Sequence, residues 1–156
     1  MQLHELIRIS REFNEANISY ACMKGPQLAR MLYGKEALKE SVDLDIMLVN
    51  ESELETAHRH LMNLGYGQSN LNDYKSWFAK KIFLLGKREV HYFNAKAGCH
   101  VDLHVRAGAN TYLTAGRFRK LYTDLRIYDL EGMPVPIVPP EQYLTCLLYT
   151  SDAADE

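Results

Sequence analysis

The chain has 156 residues, room for one domain with a buried core, and its 47% apolar and 24% charged content is ordinary for a globular protein. A formal net charge of -2 argues against nucleic acid as a partner held by overall charge, and leaves only a local basic groove open. No apolar run of about 18 residues occurs and Met1–Ser10 mixes charged with apolar residues, so neither a membrane span nor a secretory leader is expected.

Leu3, Leu6, Ile7, Ile9 and Phe13 recur at helical spacing among Glu5, Arg8, Arg11 and Glu12, which predicts an amphipathic first helix ending near Asn14–Asn17. Ile18–Met23 reads as a short apolar strand. Lys24-Gly25-Pro26 stops it, and Pro26 suits the first position of a helix continuing through Leu28, Met31 and Leu32 to Tyr33-Gly34. A strand, a glycine turn and a helix in that order aim backbone N–H groups beyond the strand end, a ready anion site. Taken alone, Lys-Gly-Pro is more often a plain strand-to-helix connection.

After the polar stretch Lys35–Glu40 comes Ser41-Val42-Asp43-Leu44-Asp45-Ile46-Met47-Leu48-Val49. With side chains alternating, Leu44, Ile46 and Leu48 face one way. Met47 and Val49 face the other, on the side of Asp43 and Asp45. A strand apolar on both faces belongs inside a covered sheet. Two carboxylates at its mouth are costly unless a cation meets them. Spaced i, i+2, they sit about 7 Å apart along the strand. They can lean onto one divalent ion or onto two ions about 3.5–4 Å apart. The plain alternative is a turn aspartate beside a solvated one.

Asn50 or Ser52 is placed to cap the next helix, with Glu53 and Glu55 in its first turn; Leu54, Ala57, His58, Leu61 and Leu64 form its apolar side and Gly65 ends it. His58 and His60 read as helix-surface residues rather than ligands. Asn70 or Asn72 starts a helix or strand running through Trp77, Phe78, Ile82 and Phe83 to Gly86. Glu89–Asn94 and His100–Arg106 read as two strands joined by the turn Ala95-Lys96-Ala97-Gly98. In the second, Val101, Leu103 and Val105 make an apolar face; His100, Asp102, His104 and Arg106 make a polar one. Asp102 is a candidate third carboxylate. His100 and His104 are about 13 Å apart along the strand, too far for one zinc ion. A single histidine there can orient a carboxylate or contact substrate.

Phe118 and Leu121 suggest a short helix. Arg126–Leu130 and Val135–Val138 suggest a hairpin about Glu131-Gly132-Met133, and Pro139-Pro140-Glu141 opens a helix over Gln142–Leu148. Cys22, Cys99 and Cys146 are dispersed, without C-x-x-C spacing, and read as buried thiols of a reducing cytoplasm. Cys146–Glu156 resembles the translation of a transposase adapter used in sequencing libraries. The expected division is therefore a domain over 1–145, incomplete at its C-terminus, and a non-native tail over 146–156.

Taken together, Lys24-Gly25, Leu32-Tyr33-Gly34, Asp43-Leu44-Asp45-Ile46-Met47-Leu48-Val49 and Val101-Asp102-Leu103-His104 resemble a bacterial nucleotidyltransferase family of the DNA polymerase beta-like superfamily. That family has a K-G…L-Y-G…D-h-D-h-h-V…V-D-L-H pattern, where h is apolar, and the likeness covers about residues 3–145. It implies an α/β (α+β) fold, a mixed central β-sheet flanked by helices. It implies an enzyme moving a nucleoside monophosphate from a nucleoside triphosphate, ATP among them, onto a hydroxyl of a small molecule or protein, with release of pyrophosphate. Two Mg2+ ions, or Mn2+, would lie between Asp43, Asp45 and Asp102. Asp102 would also receive the acceptor's proton. Lys24 and Gly25 would approach the phosphates, and His104 is a possible substrate contact.

Pro26 stands where many superfamily members have a second glycine or a serine, and it lacks an N–H. Lys39 and Val42 stand where relatives often have arginine and glycine. As a nucleotide-binding residue, Lys39 keeps the charge but not the bidentate fork. These departures motivate an alternative, a catalytically decayed fold that binds a nucleotide or a protein partner. A metal-dependent hydrolase using His100 and His104 is weaker on geometry.

Overall fold

The computed structural model describes residues 2–24, 27, 43–68, 89–105 and 124–142. The first helix, α1 (Gln2–Glu15), is amphipathic as its spacing predicts, with Leu3, Leu6, Ile9 and Phe13 buried. The strands are β1 (Tyr20–Lys24), β2 (Asp43–Leu48), β3 (Gly67–Gln68), β4 (Glu89–Asn94), β5 (Cys99–His104), β6 (Arg126–Leu130) and β7 (Met133–Ile137), and the second described helix is α2 (Leu54–Asn63). The strands form one sheet in the order β3-β4-β5-β2-β1-β7-β6. Two pairs, β2 with β5 and β1 with β7, are parallel, and the rest are antiparallel. This is the mixed α+β sheet that the resemblance implies.

β2 sits at the centre of the sheet, and Leu44 through Leu48 are all buried. Apolar residues on both sides of the strand force this position, since an edge would leave one set wet. One face of the sheet meets the helices. There Cys22, Leu44, Ile46, Leu48, Val90, Tyr92, Val101 and Leu103 pack with Leu6, Ile9 and Phe13 of α1 and Ala57 and Leu61 of α2 in a single cluster. The residues between them in sequence occupy the other face.

Local chemistry fixes the connections. α2 ends in a Schellman motif: Gly65 (φ 87°) donates to the Met62 carbonyl at 2.9 Å and Tyr66 to the Leu61 carbonyl at 3.0 Å. In the β4–β5 turn, the Asn94 side-chain oxygen accepts from the N–H of Lys96 at 3.0 Å and of Ala97 at 3.1 Å. Glu131 (φ 55°) and Gly132 (φ 84°) make the two-residue turn between β6 and β7, with both residues in the left-handed region.

Two expectations are corrected. Neither Asn50 nor Ser52 caps α2 through its side chain. A short 3-10 turn, Glu51–Glu53, precedes the helix, and the Glu53 N–H donates to the Asn50 carbonyl at 3.1 Å instead. Glu53 turns its carboxylate to the Ser19 N–H at 2.9 Å. Met133 belongs to β7 rather than to the turn, because two left-handed residues already close the hairpin. β7 also tolerates Pro134 and Pro136. Both alternate with the residues bonded to β6, and the pairing with β1 lies past both prolines, at Cys22↔Ile137, where the Val138 N–H donates to the Cys22 carbonyl at 3.0 Å.

Outside the described residues lie Gly25, Pro26, Lys39, Val42, Arg106, the helix expected to continue to Gly34, the element between Asn70 and Gly86, the Phe118–Leu121 helix, and everything after Gln142. Among the described residues no helix is long and apolar enough to cross a membrane.

Candidate active site

The candidate site is the sheet face turned away from α1 and α2, where three strands contribute polar side chains in register. Asp43 of β2 stands beside His100 of β5, Asp45 beside Asp102, and Met47 beside His104. β4 continues each row: Phe93 lies beside His100, His91 beside Asp102 and Glu89 beside His104. Cross-strand partners share a face. The three aspartates read from the sequence therefore lie on one face in two adjacent rows.

On the other side of β2, a bulge changes the register. Cys22 pairs with Ile46, but Lys24, two residues on, pairs with Asp45, one residue back along β2. The extra residue sets the Lys24 backbone opposite Asp45, where regular pairing would have put Met23. The end of β1 at Lys24 is thus brought level with the row of Asp45 and Asp102.

The two innermost carboxylates are held by imidazoles. His91 Nδ1 donates to Asp102 Oδ1 at 2.6 Å, and His104 Nε2 donates to Asp45 Oδ1 at 3.1 Å. Glu89 lies within ion-pair distance of both rings, 3.5 Å from His91 Nε2 and 3.7 Å from His104 Nδ1. Burial is graded across the face. The Asp45 side chain is 4% exposed, those of His104 and Asp102 are 18% and 19%, and those of His91 at 39% and Glu89 at 46% meet solvent. At the outer row the rings of Phe93 and His100 lie 4.5 Å apart at 31°, with Phe93 partly exposed.

Among the described residues, no three acidic, histidine or cysteine side chains already close into a metal-binding cluster. Asp45 and Asp102 instead each engage a histidine. His100 and His104 likewise have other partners, Phe93 and Asp45. His58 and His60 are structural: His58 Nδ1 lies 3.1 Å from the Tyr92 hydroxyl, and His60 Nδ1 lies 2.6 Å from Glu12 Oε1 of α1. Cys22 and Cys99 are free buried thiols, and burial pushes both up from the ordinary thiol range.

Glu89 and His91 are members of the site that sequence reasoning did not single out. Their signal was present. A four-residue turn from Asn94 to Cys99 fixes the register, and counting back from it puts His91 beside Asp102 and Glu89 beside His104.

Comparison with known proteins bears on the family and the fold. No curated protein sequence matches the chain. Among solved structures, the crystal structure of ANT(2")-Ia in complex with adenylyl-2"-tobramycin has a similar fold, with a TM-score of 0.63 at 14% identity, covering 97% of this chain and 77% of that one. A protein family described as uncharacterised nucleotidyltransferase matches residues 1–149. The chain belongs to that nucleotidyltransferase family.

Proposed function

We propose that the chain transfers a nucleoside monophosphate from a nucleoside triphosphate to a hydroxyl of a small molecule or protein, releasing pyrophosphate, in a reaction dependent on a divalent cation. The observation that carries this reading is the cross-strand row Asp45↔Asp102, with Asp43 one row away on the same face. Neighbouring strands are about 4.8 Å apart, so the three carboxylates are within reach of a common centre. Three carboxylates are a hard-oxygen donor set, which suits Mg2+ or Mn2+.

Asp43, Asp45 and Asp102 would hold the cation. Bound there, it would supply charge neutralisation at the phosphates and a lowered pKa for the attacking hydroxyl. The chain's own residues do the rest. Asp102, the more exposed of the Asp45–Asp102 pair, accepts the acceptor's proton at a carboxylate oxygen. Lys24 and Gly25, at the end of β1, receive the phosphates, and Lys39 adds positive charge. The adenylylated aminoglycoside named with ANT(2")-Ia supports an adenylyl donor and a hydroxyl acceptor. The compartment in this reading is the cytoplasm, in keeping with the free thiols of Cys22 and Cys99.

The test is calorimetric titration of the four nucleoside triphosphates with and without Mg2+, beside an Asp43→Asn, Asp45→Asn double variant and a pyrophosphate-release assay. Mg2+-dependent binding that the double variant lacks is expected. Equal binding by both proteins would overturn the metal site. A second reading, a nucleotide- or partner-binding protein without turnover, is favoured by Pro26, which removes one N–H from the turn. Tight binding with no pyrophosphate release would select it.

A further inference from the structure

We propose that His91 and His104, braced by Glu89, are positioning residues that fix the carboxylates of Asp102 and Asp45 for catalysis; the inference rests on the reading of those aspartates as the catalytic pair. An aspartate on a strand can turn about two side-chain bonds. Cation binding and proton transfer both need its oxygens held in one direction. One donor on one oxygen supplies that restraint and leaves the other oxygen's direction fixed as a consequence.

The choice of nitrogen follows from the register. His91 is the direct cross-strand neighbour of Asp102, and it reaches Oδ1 with Nδ1, the ring nitrogen nearer the backbone, at 2.6 Å. His104 is the direct neighbour of Met47, so Asp45 lies on the diagonal, one row further. His104 spans that diagonal with Nε2, the far nitrogen, at 3.1 Å. The remaining nitrogen of each ring faces Glu89: Nδ1 of His104 toward its direct neighbour, and Nε2 of His91 along its own strand. One glutamate thus backs both rings, and each ring backs one aspartate.

The plain alternative is a set of solvated cross-strand pairs, which contribute little. Burial argues against it. Asp45 is nearly inaccessible and His104 and Asp102 are about four-fifths covered, while His91 at 39% and Glu89 at 46% reach water. The order from outside to inside is therefore glutamate, imidazole, aspartate. None of the histidines needs to touch substrate for this arrangement to work.

The nitrogen assignment gives a test that a merely structural role would not pass. Asparagine places its amide N–H near the position of Nδ1, and glutamine places its own near Nε2. The readout is Mn2+ affinity, measured calorimetrically with the metal alone, with kcat and KM for nucleotide measured in parallel and thermal midpoints recorded for every variant. His91→Leu and His104→Leu are expected to weaken Mn2+ binding by about 10–100-fold, with kcat falling more than KM rises. His91→Asn and His104→Gln are expected to recover most of the loss. The exchanged variants, His91→Gln and His104→Asn, are expected to behave like leucine, with all midpoints close together. If Asn and Gln behave alike at each site, or the leucine variants keep full Mn2+ affinity, the positioning role is wrong. Asp45→Asn and Asp102→Asn separate the two possible failures. If these abolish Mn2+ binding while the leucines do not, only the positioning inference falls. If they too leave it unchanged, the catalytic reading falls and the inference with it.

Discussion

The two faces of the sheet each bury an acidic side chain, and they treat it differently. Under the helices, Glu5 of α1 is 6% exposed. Its Oε2 accepts from the Tyr66 hydroxyl at 2.6 Å and from Arg8 Nη2 at 2.8 Å, and the same Arg8 nitrogen also donates to the Leu64 carbonyl at 2.9 Å. The charge is met by a permanent cation and a phenol, and the group ties α1 to the end of α2. On the opposite face, Asp45 is 4% exposed and meets an imidazole at 3.1 Å. An arginine closes a site. An imidazole, unlike a guanidinium, carries no permanent charge, so it orients a carboxylate without fixing its charge balance. A buried carboxylate is therefore a structural signal or a functional one according to its partner.

This difference is tested most severely by neutralising Asp45. If its charge serves a bound cation, Asp45→Asn removes several kcal/mol of transition-state stabilisation, a loss of about 10³-fold or more in kcat/KM. The near-isosteric amide can still meet His104, so the unfolding midpoint should move little. Pyrophosphate release and urea unfolding measured on one preparation check both halves. A large drop in stability with proportionate loss of activity would make Asp45 another Glu5.

The faces should also part on raising the pH. Burial is the first cause pushing the phenols of Tyr20, Tyr66 and Tyr92 above the ordinary tyrosine value of 10.0, and it pushes the Cys22 thiol above 9.0 in the same direction. All four belong to the cluster beneath the helices. A raised folded-state pKa means that the native protein holds its proton where the unfolded chain has lost it. Stability is then full below the unfolded values and falls as the pH climbs beyond them. Each group steepens the fall by up to about 1.4 kcal/mol per pH unit. Urea midpoints should hold level to about pH 9, then drop sharply toward pH 11. A flat profile across that range would mean the phenols ionise freely in the fold.

The fold was legible where pattern and burial agree. β2 declared itself central through Leu44, Ile46, Met47 and Leu48, and α1 through the spacing of Leu3, Leu6, Ile9 and Phe13. The aspartates stood out because a carboxylate at the mouth of such a strand needs a reason. Glu89 and His91 did not stand out: on a strand read by itself they are an ordinary wet face. Only pairing gives them meaning, and pairing is a long-range property. The bulge before Lys24 was likewise hidden, since Tyr20-Ala21-Cys22-Met23-Lys24 contains neither glycine nor any other local break. The capping of α2 was misjudged because Asn50 and Ser52 are both good caps by type. The 3-10 turn ahead of the helix had already satisfied the N–H groups they would have met.

The last test returns to the structural carboxylate and has the smallest expected effect. Removing Glu5 leaves the Tyr66 hydroxyl and the inward side of Arg8 without their acceptor. Breaking a fully buried pair costs about 3–5 kcal/mol. The Arg8 side chain is 35% exposed and keeps its bond to Leu64, so the penalty is discounted for water reaching the guanidinium. Glu5→Ala is expected to cost about 2 kcal/mol. Replacing Glu5 by Leu, with Arg8→Met and Tyr66→Phe in the same chain, removes every member of the cluster and should recover most of that loss, because an apolar set of similar volume has no desolvated charge to leave behind. Nucleotidyl transfer per folded molecule should be untouched in both, since the cluster lies across the sheet from Asp43, Asp45 and Asp102. Chemical denaturation gives the stabilities, and activity measured well below the transition gives the comparison. A change in kcat from the triple variant, at full folding, would mean that the two faces communicate through the sheet.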